Sequence, residues 1–288
     1  MIRICLLCEN YAGRRKMLAE HGLSIWIDTG NKKILFDTGQ TDIFSINAIN
    51  SGIDISKVDM AVLSHGHYDH TGGVPRFFRM NKLAPVYIDQ EAFQKRYNGN
   101  GEARMNIGIP WLNENYSDAY SKRLVISNGK LELDDNIIIL GKIPSTIPFE
   151  KVPQNFYIED DNGDISCDMI ADEHMLIIRG REGIYLFVGC SHAGIINCIT
   201  HVKTHFPDER IAGVIGGMHL NNASDERIQL TIQKLRDMNI KTIIPLHCTG
   251  ITAICGLKSS LKQNCKLMTV GDVYILEEEE ETYTKNKF

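Results

Sequence analysis

The stretch SHGHYDHTGG, from Ser64 to Gly73, carries the strongest structural signal in this chain. It follows the apolar run MAVL and places three histidines and one aspartate within six positions. Imidazole nitrogens and carboxylate oxygens are common protein ligands of Zn and other first-row metals. His65 and His67 lie two residues apart and can face one ion, whereas Asp69 and His70 can serve a second. The stretch therefore predicts a metal site where a buried strand ends.

Three more histidines follow apolar, strand-like runs in the same way. His192 follows YLFVGCS, His219 follows AGVIGGM and His247 follows TIIPL. In open α/β sheets the carboxyl ends of the strands share one edge, where ligand crevices form. Core packing alone does not explain why a histidine follows four separate predicted strands. We therefore expect these histidines to meet the first motif in one site.

Asp37, in ILFDTG, also ends a predicted strand and precedes a Thr-Gly turn. One interpretation is a carboxylate that fixes the metal-bearing loop by hydrogen bonds. The other is a turn-forming aspartate that bonds its own backbone. We favour the first interpretation.

The other four histidines lack predicted partners. His201 and His205 are four residues apart on a predicted helix, but they fall off its apolar stripe and are expected to face solvent. His21 precedes a glycine in a turn, and His174 belongs to the polar run DEH. None of the four is assigned to the site.

The composition favours a globular protein that handles a small molecule. Of the 288 residues, 43% are hydrophobic and 23% are charged. The net charge of −5 gives no basic field for nucleic acid. No apolar run approaches the ~20 residues of a membrane span, and the N-terminus lacks the pattern of a secretory signal. We expect a cytoplasmic location and a small-molecule partner, and the oligomeric state is not predicted.

The eight cysteines are interpreted as reduced thiols. Cys5 and Cys8 form a C-x-x-C, a spacing found in redox and metal sites. The pair lies within the strand-like IRICLL, and no second C-x-x-C follows, so buried thiols are the favoured interpretation. An iron–sulfur protein is disfavoured for the same reason.

The pattern of elements predicts a single α/β domain over residues 1–288, β-rich at first and then alternating strand and helix. Residues 91–118 are rich in Asn and Gly and form either a lid that contacts substrate or a structural loop. Within this segment Lys95, Arg96 and Arg104 are candidates for contact with a substrate phosphate. Their alternative is simple solvation at the surface.

Five motifs together resemble those of the metallo-β-lactamase superfamily. They are FDTG at 36–39, SHGHYDHTGG at 64–73, GCSHAG at 189–194, GGMHL at 216–220 and PLHCTG at 245–250. The resemblance implies an αββα sandwich, in which two mixed β-sheets face each other, helices flank them and metals lie at one edge. The last three motifs also resemble a narrower group, the dihydropterin–ribofuranosylaminobenzene 5′-phosphate synthases of methanopterin biosynthesis.

The resemblance also implies a set of metal ligands. The first metal would be held by His65, His67 and His192, and the second by Asp69, His70 and His247. Two Zn ions are expected, with Fe or Mn as alternatives. The family usually supplies a bridging Asp, or sometimes Cys, where this chain has GGMHL. His219 is the nearest residue there, and it would either ligate one metal or hydrogen-bond substrate.

Three mechanisms remain open from the sequence. The first is a hydrolase that uses a metal-activated water on a small phosphorylated, ester or lactone substrate. Asp69 would orient that water or accept its proton, and His219 would stabilise developing negative charge. The second is a transferase that joins a dihydropterin methyl diphosphate to an arylamine ribofuranosyl phosphate. The third is an iron-dependent redox enzyme.

Overall fold

The computed structural model describes residues 1–99, 104–112 and 121–278. In chain order its strands are β1 (Ile2–Cys8), β2 (Ser24–Asp28), β3 (Lys33–Phe36), β4 (Met60–Val62), β5 (Val86–Asp89), β6 (Lys95–Asn98), β7 (Met105–Asn106), β8 (Leu124–Ser127), β9 (Lys130–Glu132), β10 (Ile137–Gly141), β11 (Phe156–Glu159), β12 (Ile165–Cys167), β13 (His174–Gly180), β14 (Gly183–Val188), β15 (Ile211–Gly217), β16 (Thr242–Leu246) and β17 (Val273–Glu277). The α-helices are α1 (Ile43–Asn50), α2 (Tyr68–Thr71), α3 (Val74–Met80), α4 (Ile195–His205), α5 (Asp225–Asp237) and α6 (Ile251–Leu261). Short 3₁₀ helices span Ile55–Lys57, Gln90–Phe93, Ser121–Arg123, His247–Thr249 and Lys262–Asn264.

The apolar runs form two large mixed sheets. The first has the order β17-β1-β2-β3-β4-β5-β8, and the second has the order β16-β15-β14-β13-β10-β9. Strands β3, β4, β5 and β8 pair in parallel, as do β14, β15 and β16, whereas the other pairs in these two sheets are antiparallel. The parallel strands therefore bring their carboxyl ends to one edge of each sheet.

The two sheets face each other across a shared apolar core. Phe36 of β3 and Phe187 of β14 are fully buried in this core, and their ring centroids are 6.4 Å apart. Leucine and isoleucine side chains from the inner faces of both sheets fill the rest of it. Since β-branched and aromatic residues pack well on a pleated surface, these strands specify the inner layer.

Helices cover the outer face of each sheet. Phe44 of α1 and Phe77 of α3 pack on the first sheet. Ile199 of α4, Ile232 of α5 and Leu257 of α6 belong to the core cluster on the outside of the second sheet. The αββα sandwich of the prediction is therefore confirmed.

A third, four-stranded sheet with the order β12-β11-β6-β7 was not predicted. It takes up part of the segment predicted as a lid, since β6 and β7 lie within residues 91–118. Positions 100–103 and 113–118 of that segment lie outside the described residues. Within the parts that the structure describes, no helix is both long and apolar enough to cross a bilayer.

Arg96 of β6 ties this small sheet to the loop of the first motif. Its side chain is completely buried, with Nη1 2.8 Å from Asp168 Oδ2 and Nη2 2.6 Å from Asp172 Oδ1. The other oxygen of Asp172 accepts a hydrogen bond of 2.7 Å from the backbone N–H of Gly66. Arg96 therefore supports the loop that carries His65 and His67.

The three basic residues expected to contact substrate are paired with carboxylates in the structure. Arg96 forms ion pairs with the two buried carboxylates, and none of the three basic residues lines the cavity described below. Lys95 and Arg104 lie 3.0 and 2.8 Å from the two carboxylate oxygens of Glu159. Alternation along β6 explains why Lys95 is exposed while Arg96 is buried, because successive side chains point to opposite faces.

Replacing Arg96 by Met should lower the free energy of unfolding by about 3–5 kcal/mol, because it leaves two buried carboxylates without their cation. It should also weaken metal retention, since Asp172 loses the partner that positions it against Gly66. Lys95→Met on the same strand is the matched control, because that lysine is exposed and its loss should change neither property. Urea unfolding of the chelated proteins and metal analysis of the untreated ones measure both effects. If the two variants have the same free energy of unfolding and the same metal content, Arg96 does not support the motif loop.

Candidate metal centre

The site lies where β4, β14, β15 and β16 end. The residues after β4 enter the one-turn helix α2, which carries Asp69 and His70. Gly189, after β14, lies so close to the motif loop that a Cβ there would clash with Ser64 Oγ. Positive φ angles of 44° at His219 and 50° at His247 mark strained backbone at two of these strand ends.

Three histidines form a first half-site. His65 Nε2 lies 3.0 Å from His67 Nδ1 and 3.3 Å from His192 Nε2. Tetrahedral Zn with Zn–N bonds of about 2.0–2.1 Å places its ligand nitrogens about 3.3–3.4 Å apart. Burial lowers the pKa of all three imidazoles well below the ordinary value, so each is neutral and offers a lone pair. The spacing and charge state fit one metal ion.

A second half-site is formed by Asp69, His70 and His247. Asp69 Oδ2 lies 3.3 Å from His247 Nε2 and 3.9 Å from His70 Nε2. Burial disfavours the charged carboxylate, but the His70, His21 and His247 imidazoles hold the pKa of Asp69 well below its usual range. His247 Nε2 is buried and makes no hydrogen bond, as expected for an atom that faces a ligand position.

Cys190 lies between the two half-sites. Its Sγ is 3.2 Å from His70 Nε2, and it falls within 4.8 Å of the ligand atoms of two histidine pairs, His65 with His192 and His70 with His247. Burial raises the pKa of this thiol well above its ordinary value, so a bound cation would be needed to favour the thiolate. Among the described residues this thiol therefore lies within reach of ligand atoms from both half-sites.

Sequence reasoning missed Cys190 because a cysteine after an apolar strand is most often a core thiol. The available signal was its position in GCSHAG, two residues before His192 at a strand end. The resemblance implies a bridging residue at another strand end, the one that carries His219. That imidazole lies beside the site, with its ring centroid 4.4 Å from that of His192 and its Nδ1 buried without a hydrogen-bond partner.

Asp37 hydrogen-bonds residues that orient both half-sites. Its Oδ2 accepts hydrogen bonds from His70 Nδ1 at 2.7 Å and from the Ser64 hydroxyl at 2.8 Å. Ser64 Oγ in turn lies 2.9 Å from His65 Nδ1. With their Nδ1 atoms engaged in this way, His65 and His70 present Nε2 to the centre. Asp37 Oδ1 also accepts the backbone N–H of Ser64 at 2.7 Å.

His21 is a second residue that sequence reasoning left out of the site. Its Nε2 lies 3.2 Å from Asp69 Oδ2, and its ring centroid is 4.7 Å from that of His247. His21 is part of a turn far from both in sequence, so no local pattern indicated the contact. His201 and His174 do not join the site, since His201 Nε2 donates to the carbonyl of Gly141 at 3.0 Å and His174 lies beside Ser127.

A cavity of about 610 Å³ opens above the metal-binding residues. Phe156 of β11 forms part of its wall, with ring centroids 5.3 Å from His67, 5.5 Å from His192 and 6.2 Å from His219. The remaining wall is mostly asparagine amides and apolar side chains, with one arginine, Arg227. A cavity of this size and lining suits a small molecule.

The model of the metallo-beta-lactamase superfamily matches residues 18–247 of the chain. The chain is 32% identical over 286 residues to the 7,8-dihydropterin-6-methyl-4-(beta-D-ribofuranosyl)-aminobenzene-5′-phosphate synthase of Methanocaldococcus jannaschii, covering 94% of this chain and 96% of the synthase. It is also 32% identical over 257 residues to an uncharacterised protein of that organism, covering 88% and 93% of the two chains.

Solved structures show the same relationship. A metal-dependent hydrolase of the β-lactamase superfamily is 29% identical and superposes with a TM-score of 0.82, covering 96% of this chain and all of the other. A diphosphatase from the PhnP family shares the fold at 11% identity, with a TM-score of 0.54 and coverage of 96% and 98%. The chain therefore belongs to the metallo-β-lactamase superfamily of metal-dependent enzymes, and within it resembles the dihydropterin–ribofuranosylaminobenzene phosphate synthase.

Proposed function

We propose that this chain is a hydrolase that holds two metal ions and acts on a small phosphorylated molecule. One observation carries the proposal: two sets of buried metal-type ligands share Cys190 Sγ at the floor of one cavity. A buried cluster of imidazoles, one carboxylate and one thiol has no evident structural purpose, because burying polar groups is costly. Metal binding offsets that cost.

The donor set favours Zn, with Fe or Mn as alternatives, because imidazole and thiolate suit Zn well. His65, His67 and His192 would hold one ion, Asp69, His70 and His247 the other, and Cys190 would contact both. Bound ions of this kind lower the pKa of water toward neutrality and polarise a phosphoryl or carbonyl oxygen.

The chain's own residues supply orientation and charge stabilisation. The carboxylate of Asp69 lines the cavity and would orient the attacking water by accepting a hydrogen bond from it. His219 lines the same cavity, where its imidazole would donate a hydrogen bond to an oxygen that gains negative charge. The ring of Phe156 covers three of the histidines and would exclude bulk water.

A transferase is the second candidate, and the 32% identical synthase favours it. In that reaction an arylamine nitrogen would form a bond to the methylene carbon of a dihydropterin while the carbon–oxygen bond to the diphosphate breaks. The diphosphate leaves with the electron pair, and the amine loses a proton. The same ligand set would serve both reactions, because each places negative charge on phosphate oxygens.

A small molecule remains the proposed partner, and the cytoplasm remains the proposed location. The cavity supports the first proposal. The second is supported by eight free cysteines, six of them buried, which a reducing compartment keeps as thiols.

The purified protein should contain about two Zn ions per chain, and Cys190→Ala should reduce this to about one or fewer. Loss of the shared thiolate weakens both half-sites, because each loses an anionic donor. Inductively coupled plasma mass spectrometry without added metal measures the content, and it also reveals Fe if the redox alternative holds. Cys198→Ala is the matched control, since this thiol is equally buried in α4 but lies outside every ligand group found. Two ions retained in Cys190→Ala would disprove the bridging assignment.

Supplying dihydropterin methyl diphosphate in ¹⁸O-labelled water distinguishes the two candidate reactions. A hydrolase should release the diphosphate without any acceptor and incorporate label, whereas a transferase should need the arylamine for turnover. His70→Ala should abolish either activity, and His205→Ala, on the exposed end of α4, should leave it unchanged. An active His70→Ala variant would rule out the proposed site. If dihydropterin methyl diphosphate is inert, phosphodiesters and lactones are tested with the same variants.

A further inference from the structure

Arg227 lies on the wall of the same cavity, away from the metal ligands in sequence. It is the third residue of α5, and its backbone N–H donates to Ser224 Oγ at 3.2 Å. Ser224 thereby caps the helix, since serine is among the residues preferred at this position. The arginine side chain is partly buried and contributes to the cavity lining. The helix cap therefore fixes the backbone from which this guanidinium reaches the cavity.

The guanidinium of Arg227 is incompletely hydrogen bonded. Nη1 donates to the backbone carbonyl of Lys151 at 3.3 Å, whereas Nε and Nη2 are buried and have no partner within the described residues. Buried polar groups without partners are uncommon in native structures. Two such groups on one edge of one guanidinium form a vacant fork for two acceptor oxygens.

No carboxylate in the described part of the chain forms an ion pair with this arginine. The carboxylate that most favours its charged form is Glu150, but both Glu150 oxygens accept backbone N–H groups, from Ile196 at 2.9 Å and from Asn197 at 2.7 Å. Burial lowers the pKa of Arg227, yet an arginine remains protonated at neutral pH. The positive charge is therefore only partly compensated by the protein.

Arg227 is also distinctive among the residues of the cavity wall. Within the described residues it is the one arginine or lysine in that lining. Asn221 and Asn222 lie beside it on the loop that leads into α5, and both line the cavity. Amide groups next to a guanidinium complete the hydrogen-bonding sphere that a phosphate requires. The wall thus has one basic anchor, separate from the metal-binding floor.

We propose that Arg227 binds a phosphate group of the substrate through its Nε and Nη2 edge, at a position distinct from the metal centre. Because Nε and Nη2 are buried, binding requires the guanidinium to rotate so that this edge faces the cavity. Asn221 and Asn222, which line the same cavity, would contribute further hydrogen bonds. The inference rests on the proposed function, which places a phosphorylated molecule in the same cavity. Arg227 would set specificity by holding the non-reacting end of that molecule.

The test is calorimetric titration of the protein as purified with inorganic phosphate. Arg227→Met should weaken phosphate binding by roughly tenfold or more, the value of a hydrogen bond to a charged group. Arg227→Lys should recover part of the affinity, because it keeps the charge but loses the fork. Arg236→Met is the matched control on the same helix, since Arg236 hydrogen-bonds Ser260 outside the cavity. This variant should bind phosphate with the same affinity as the parent protein.

Metal content and melting temperature are measured for every variant, so that loss of ions or of fold is not mistaken for loss of the anion site. The inference is overturned if the parent protein does not bind phosphate, or if Arg227→Met binds it within about twofold of the parent at equal metal content. A parent protein without metal would refute the proposed function. The effect of Arg227→Met on phosphate affinity would still decide this inference.

Discussion

The hydrogen bonds of the Asp37 carboxylate are the interaction on which the arrangement of the site depends. This one buried group holds His70 directly and His65 through the hydroxyl of Ser64, so it orients a ligand in each half-site. It also fixes the backbone of Ser64, where β4 ends. Hydrogen bonds of this kind fix the ring orientation and tautomer of a ligating imidazole, so they prepare it for metal binding.

Neither half-site belongs to one sheet alone. The first sheet supplies the ligands from His65 to His70, and the second supplies Cys190, His192 and His247. The ligand atoms meet only when the two sheets close on their shared core, because residues such as His70 and Cys190 are 120 positions apart. Metal binding and closure of the sandwich are therefore linked, and a bound ion stabilises the folded chain by mass action.

The pattern of elements predicted an α/β domain, and the resemblance of five motifs to the superfamily implied the sandwich. The strand-end histidines were predicted directly, because an apolar run followed by His is a local signal. The sequence was not sufficient to predict contacts between residues that are far apart in the chain. Arg96 looked like an exposed base in a loop, yet its carboxylate partners are 72 and 76 residues away. Cys190 and His21 carried no periodic pattern, and only the folded chain brings them against the ligands of the motif.

The cavity has a floor and walls of different origin. The floor is built from strand ends, whereas the walls come from the small sheet that carries Phe156 and from the loop before α5. Substitutions in the walls can change which molecules fit without touching a metal ligand or the Asp37 hydrogen bonds. This separation makes the scaffold evolvable, because descendants can diverge in substrate while they inherit the same reactive floor.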